Sequence, residues 1–97
     1  MSYRLLTPAL VELRDAADYY EAQVSGLGAD FIAEVESTID RIIKYPEAWS
    51  LISAKFRHCH LRRFPHSVIY VVEKDSSILI VSVFHQSRKP LSWKSNL

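Results

Sequence analysis

The only two glycines of this 97-residue chain, Gly26 and Gly28, stand one residue apart within Ser25-Gly26-Leu27-Gly28. Glycine has no Cβ and takes positive φ at little cost, so such a segment ends one helix and admits another. Upstream of it, Leu13, Ala16, Ala17, Tyr20 and Val24 recur at helical spacing, interspersed with Glu12, Asp15, Asp18 and Glu21. Thr7-Pro8 predicts where that helix begins, with Thr7 as N-cap and proline at the first helical position. Downstream, from about Ala29, the apolar stripe is Phe31, Ile32, Val35, Ile39, Ile42 and Ile43, and the wet side is Glu34, Glu36, Asp40 and Lys44. Pro46 disfavours helical geometry at Tyr45 and ends this second helix. So short a connection makes the two helices antiparallel neighbours.

From Lys55 the apolar period changes to two. Arg57, Cys59, Leu61 and Arg63 share one side of a strand, and His58, His60 and Arg62 the other. Pro65 cannot donate to a ladder, which predicts a bend or an edge at Phe64-Pro65. Residues 66–73 are rich in Val, Ile and Tyr, and Lys74-Asp75-Ser76 is a polar hairpin turn. Residues 77–85 are apolar on both faces, with Leu79, Val81 and Val83 against Ile78, Ile80 and Phe84, as in a central strand covered on both sides. His85 then falls on the side of Val81 and Val83. With a short strand at residues 3–6 the order reads β-α-α-β-β-β. The expected class is α+β: a helical hairpin packed on one face of a mainly antiparallel four-stranded sheet.

The whole chain, 1–97, is expected to form one domain, since 48 % hydrophobic residues suffice for a core at this length. The single Cys59 cannot pair within the chain, which fits a reducing cytoplasm, and it reads as a small buried hydrophobe. The opening residues lack a signal-peptide pattern, and the longest apolar runs are strand-length, so no membrane partner is expected. Two glycines cannot build a phosphate-cradling loop. His58 and His60 point one way and Cys59 the other, so no four-ligand zinc set forms, and neither metal nor cofactor is expected.

Charge divides the chain. Residues 1–48 hold four Lys and Arg against nine Asp and Glu, a balance of −5. Residues 49–97 hold eight against two, a balance of +6. Such sorting offers one face to something anionic, a nucleic acid or an acidic partner. Negative helices repel nucleic acid, so phosphate contact falls to the sheet and the tail. Arg57 and Arg63 have a structural alternative as partners of helix acids such as Glu34 or Asp40. Trp93 is expected to lay its indole over the sheet or the helical hairpin.

The element order resembles the RelE/ParE toxin superfamily, the toxin halves of bacterial type II toxin–antitoxin systems. So do Pro46-Glu47, Arg57, the step Arg63-Phe64-Pro65 with Tyr70 after it, and the closing His85-x-x-Arg88-x-Pro90-x-x-Trp93. The pattern is nearer the ParE-like, plasmid-stabilisation branch. That resemblance implies a toxin that binds DNA gyrase and is silenced by a ParD-like antitoxin, in a hetero-oligomer. Its binding residues would be Lys55, Arg57, Arg62, Arg63, His85, Arg88, Lys89 and Trp93. The RelE branch implies instead a ribosome-dependent mRNA endoribonuclease. Glu47 or His85 would then serve as base or acid, and Lys55, Arg57, Arg63 and Arg88 as phosphate clamps. Residues 87–93 lack the tyrosine that often completes that site. A third reading is an inactive toxin fold kept as a binding module, which needs no catalysis.

Overall fold

The computed structural model describes residues 2–97. The chain runs β1 (Tyr3–Leu5), α1 (Thr7–Gln23), α2 (Leu27–Lys44), β2 (Leu51–Ser53), β3 (Phe56–His60), β4 (His66–Val72), β5 (Ile78–His85) and a short 3-10 helix, η1 (Ser92–Asn96). The sheet order is β1-β5-β4-β3-β2, with β1 parallel to β5 and every other pair antiparallel. The helical hairpin lies on one face. The expected α+β class holds, but the sheet has five strands, not four. The additional strand, β2, is three residues long with an irregular register against β3. Its turn is made by Ala54 at φ 44, a residue type that gives no turn signal. Lys55 therefore lies in a turn, and β3 starts after it.

The helical hairpin is tighter than its glycine pair suggests. Gly26 takes φ 89 and occupies the N-cap of α2, so the helix starts at Leu27 and includes Gly28. The Glu21 carboxylate, still on α1, accepts from the Gly26 N–H at 2.9 Å and the Gly28 N–H at 3.0 Å. One helix thus satisfies the orphan donors opening the next, where negative charge is also favoured by the helix dipole. Gly28 is required by proximity: a Cβ there would stand 2.6 Å from the Ala17 carbonyl oxygen and 3.0 Å from Glu21 Cβ. At the start of α1 the cap is Leu6 and not Thr7, and it makes no side-chain cap bond. The Leu6 N–H is spent on the Ile80 carbonyl at 2.9 Å, which holds Leu6 extended and starts the helix at the next residue.

Between helices and sheet lies the main core. Ala9, Ala17, Phe31, Val35, Ile39 and Ile42 meet Cys59, Leu61, Val68, Tyr70, Ile78, Ile80 and Val83. The opposite sheet face is covered by the tail, where Trp93 packs with Ile69, Val81, Phe84 and Phe56. The last strand is buried on both faces, as its double apolar pattern predicts.

Alternation along β5 breaks once. Ile69 pairs with Ser82 and Tyr70 with Ile80, so Val81 is an extra residue, a β-bulge. Before the bulge Ile78 and Ile80 face the helices; after it Val83 and His85 do. His85 therefore shares a face with Val83 but not with Val81, which belongs to the tail-covered side.

Adding one methyl group at the helical hairpin tests its packing. Gly28→Ala is expected to cost about 1–3 kcal/mol, the usual range for overpacking against backbone, measured by urea denaturation.

Candidate functional site

Where β1 ends alongside Ile80, the next stretch of β5 has polar groups without strand partners on that edge, and α1 supplies one carboxylate to meet them. Glu12 Oε1 accepts from Ser82 Oγ at 2.9 Å, the Val83 N–H at 3.1 Å and Asn96 Nδ2 at 3.1 Å. Its Oε2 accepts from Arg88 Nη1 at 2.6 Å. Asn96 Nδ2 also donates to the Val81 carbonyl at 2.9 Å. Four donors from strand, bulge and tail thus converge on one mostly buried carboxylate. Arg88 reaches it by lying across the Phe84 ring, 5.1 Å from the centroid. The predicted clamp Arg88 is thereby committed to an internal carboxylate.

The other predicted residues divide between the two ends of the sheet. Lys55 is exposed at the β2–β3 turn. It borders a shallow groove of about 860 Å³ with Arg4, Lys74, Glu73 and Asp75, floored by Phe56, Val71, Leu79 and Val81. Arg57 is half-buried and donates from Nη1 to the Trp49 carbonyl at 2.7 Å; no helix acid is its partner. Beside it the Tyr70 hydroxyl donates to the Pro46 carbonyl at 2.6 Å, and burial pushes that phenol up to about 12. These two bonds fasten the connection carrying Glu47, which is itself exposed.

At the far end, β3 stops at His60, so Arg62 and Arg63 stand in a bend rather than on the strand. The Arg62 N–H donates to Glu34 at 2.9 Å, leaving its guanidinium in solvent without an ion pair. Arg63 lies 3.8 Å from the Asp30 carboxylate, both well exposed, a contact worth ~0–1 kcal/mol. The Gln86 N–H donates to the Pro65 carbonyl and ties the end of β5 to this bend. Arg62 and Arg63 thus lie at the same end of the sheet as His85, with Lys89 exposed in the turn that follows. Glu47 does not join them. It follows Pro46, which Tyr70 holds, whereas His85 pairs with His66, four residues along β4. At ~3.3 Å per residue that is roughly 13 Å of sheet. Trp93 is buried, its ring 5.0 Å from Phe56, on the face away from the helices.

The Ser87 N–H donates to His85 Nδ1 at 3.0 Å, so the neutral form of this ring places its proton on Nε2. Opposite it, His66 is only 4 % exposed, 4.8 Å from both His85 and Phe31 and near Tyr20. Its Nδ1 has no partner. Burial, and then the His85 charge, hold this imidazole down at about 4. The rings of His58 and His60 lie 4.6 Å apart, tilted by 57°, on one side of β3, as their spacing predicts, while Cys59 is buried on the other.

Sequence reasoning passed over Glu12, Glu21 and His66. For Glu12 a signal existed: at four-residue steps it lines up with the inward-facing Ala16 and Tyr20, an unusual place for a carboxylate.

The family described as "ParE toxin of type II toxin-antitoxin system, parDE" matches residues 3–90. A solved structure, "Chromosomal ParDE TA system from P. aeruginosa", superposes with a TM-score of 0.65 at 16 % identity, covering 88 % of this chain and 95 % of that one. No curated protein matches the chain.

Removing the Glu12 carboxylate strands several buried donors at once. Glu12→Ala is expected to cost about 3 kcal/mol and to speed amide exchange at Val83, whereas Arg88→Ala, which removes a half-exposed partner, costs about 1 kcal/mol. The His66 ring gives a pH signature. The unfolded ring binds a proton near 6.5 and the folded one only near 4, so stability falls as pH drops through that window. Stability measured by chemical denaturation is expected to fall by about 2–3 kcal/mol between pH 7 and pH 4, and His66→Phe to remove that component.

Proposed function

This chain belongs to the ParE toxin family of type II toxin–antitoxin systems; from that premise we propose that it arrests growth by binding DNA gyrase, and that a ParD-like antitoxin neutralises it. The observation carrying this reading over RNA cleavage is the separation of Glu47 from His85. General acid–base attack on a phosphodiester needs its proton acceptor and donor on one reacting centre, within hydrogen-bond reach. Glu47 and His85 stand several residues of sheet apart, and Arg88 is occupied by Glu12. A binding function has no such requirement. Arg62 and Lys89, exposed and without ion pairs among the described residues, offer contact to an acidic macromolecule.

The experiment is a supercoiling assay with purified gyrase, run alongside translation in a cell extract. The expected result is lost supercoiling with trapped cleaved DNA and intact mRNA, both effects reversed by the antitoxin. Cut mRNA, abolished by His85→Ala with supercoiling untouched, would assign the chain to the ribonuclease branch. Antitoxin binding without either effect would identify an inactive toxin fold.

A further inference from the structure

The tail does not cover its sheet face evenly. Between the segment Pro90-Leu91, which leads into η1, and the sheet lies a cavity of about 240 Å³ lined by Ile52, His58, Ile69, Phe84, Pro90, Leu91 and Trp93. Leu91 stands at its mouth, 48 % exposed and in the left-handed region at φ 71. A branched apolar side chain in that conformation is strained, since its Cβ crowds the backbone. Strain retained at the mouth of an apolar cavity marks a surface shaped for contact.

We propose that this cavity receives one bulky apolar side chain from an acidic segment of the antitoxin. The proposal rests on the reading that an antitoxin binds this chain, and three observations choose its occupant. The first is size: 240 Å³ lies below the ~300–1,000 Å³ of small-molecule pockets and suits a single side chain. The second is charge. All seven lining residues lie in residues 48–72 and 76–97, two stretches containing no Asp or Glu. The same stretches carry Lys55, Arg57, Arg62, Arg63, Arg88, Lys89 and Lys94. Two of them stand on lining rings, Arg88 5.1 Å from the Phe84 centroid and Lys94 5.9 Å from the Trp93 centroid, so cations flank the cavity. Acidic residues flanking the apolar anchor match that field.

The third observation separates peptide from nucleobase. Trp93 is 2 % and Phe84 9 % exposed, so neither presents an open ring face for stacking. A base edge buried here would find His58 as the only polar side chain in the lining, whereas an apolar side chain needs none.

Calorimetric titration of this chain with the protein encoded by the adjoining reading frame tests the proposal. Leu91→Asp puts a like charge at the mouth and is expected to weaken binding by about tenfold or more. Val24→Asp, the same change at an exposed site at the end of α1, should leave affinity within about twofold. Leu91→Gly relieves the backbone and is expected to raise the melting temperature while weakening binding; a merely structural leucine would move both together. Wild-type affinity in Leu91→Asp overturns the proposal and leaves the antitoxin reading intact. No binding by the unaltered chain overturns both. Displacement of the antitoxin by a thymidine dodecamer from the unaltered chain, but not from Leu91→Asp, would give the cavity to nucleic acid and overturn the proposal.

Discussion

One carboxylate holds three parts of this fold in register. On its other edge β5 is paired by β1 only as far as Ile80, so beyond the bulge the Val83 N–H needs an acceptor other than a strand, as does the Ser82 hydroxyl, and a buried donor without a partner costs about 1–3 kcal/mol. Glu12 meets both from α1, and with its remaining capacity it accepts from Arg88 and Asn96. A carboxylate so placed must itself be compensated, because burying charge without hydrogen bonds is far costlier than burying an amide. Bulge and tail each need Glu12, and Glu12 needs both. The tail crosses the second sheet face between its two attachments, Arg88 and Asn96, and this crossing seats Trp93.

Two consequences follow for the chemistry of the surface. Because Val81 is the extra residue, Val83 and His85 face the helices, and His85 meets His66 across β4 in an aromatic surround. An imidazole there resists protonation, and its neighbour's tautomer is set by the Ser87 amide. Because Glu12 draws Arg88 inward, the accessible cations are those without internal partners, above all Arg62 and Lys89. The acidic helices thus contribute to the basic face by choosing which cations stay in solvent.

The helical hairpin, the three longer strands and the double burial of the last one were legible, since each rests on a local period or a glycine or proline position. The short strand Leu51–Ser53 was not: three residues cannot display a period, and Ala54 does not announce a turn. The row of Arg57, Cys59, Leu61 and Arg63 was legible only in part. Arg57 and Cys59 do share a strand, but the bend after His60 carries Arg63 off it, and Arg57 serves the Trp49 carbonyl. Of the residues proposed for an acid–base site, Arg63 and His85 lie at one end of the sheet. Glu47 does not, because its place depends on where Tyr70 holds Pro46.

By itself the sequence determined the two helices and the longer strands, how the charges are shared between halves, and the likeness to a toxin family that a match over residues 3–90 bears out. Those properties are written in neighbouring residues, where backbone preference and apolar spacing act. Tertiary structure alone decided which face each side chain of the last strand takes, which cations are spent internally, and that a cavity opens beneath Leu91. Each of these turns on groups brought together from distant positions, Glu12 with Val83 and Asn96, or Ile52 with Trp93. No local preference encodes such meetings; they arise only when every buried donor must find an acceptor in one packed arrangement.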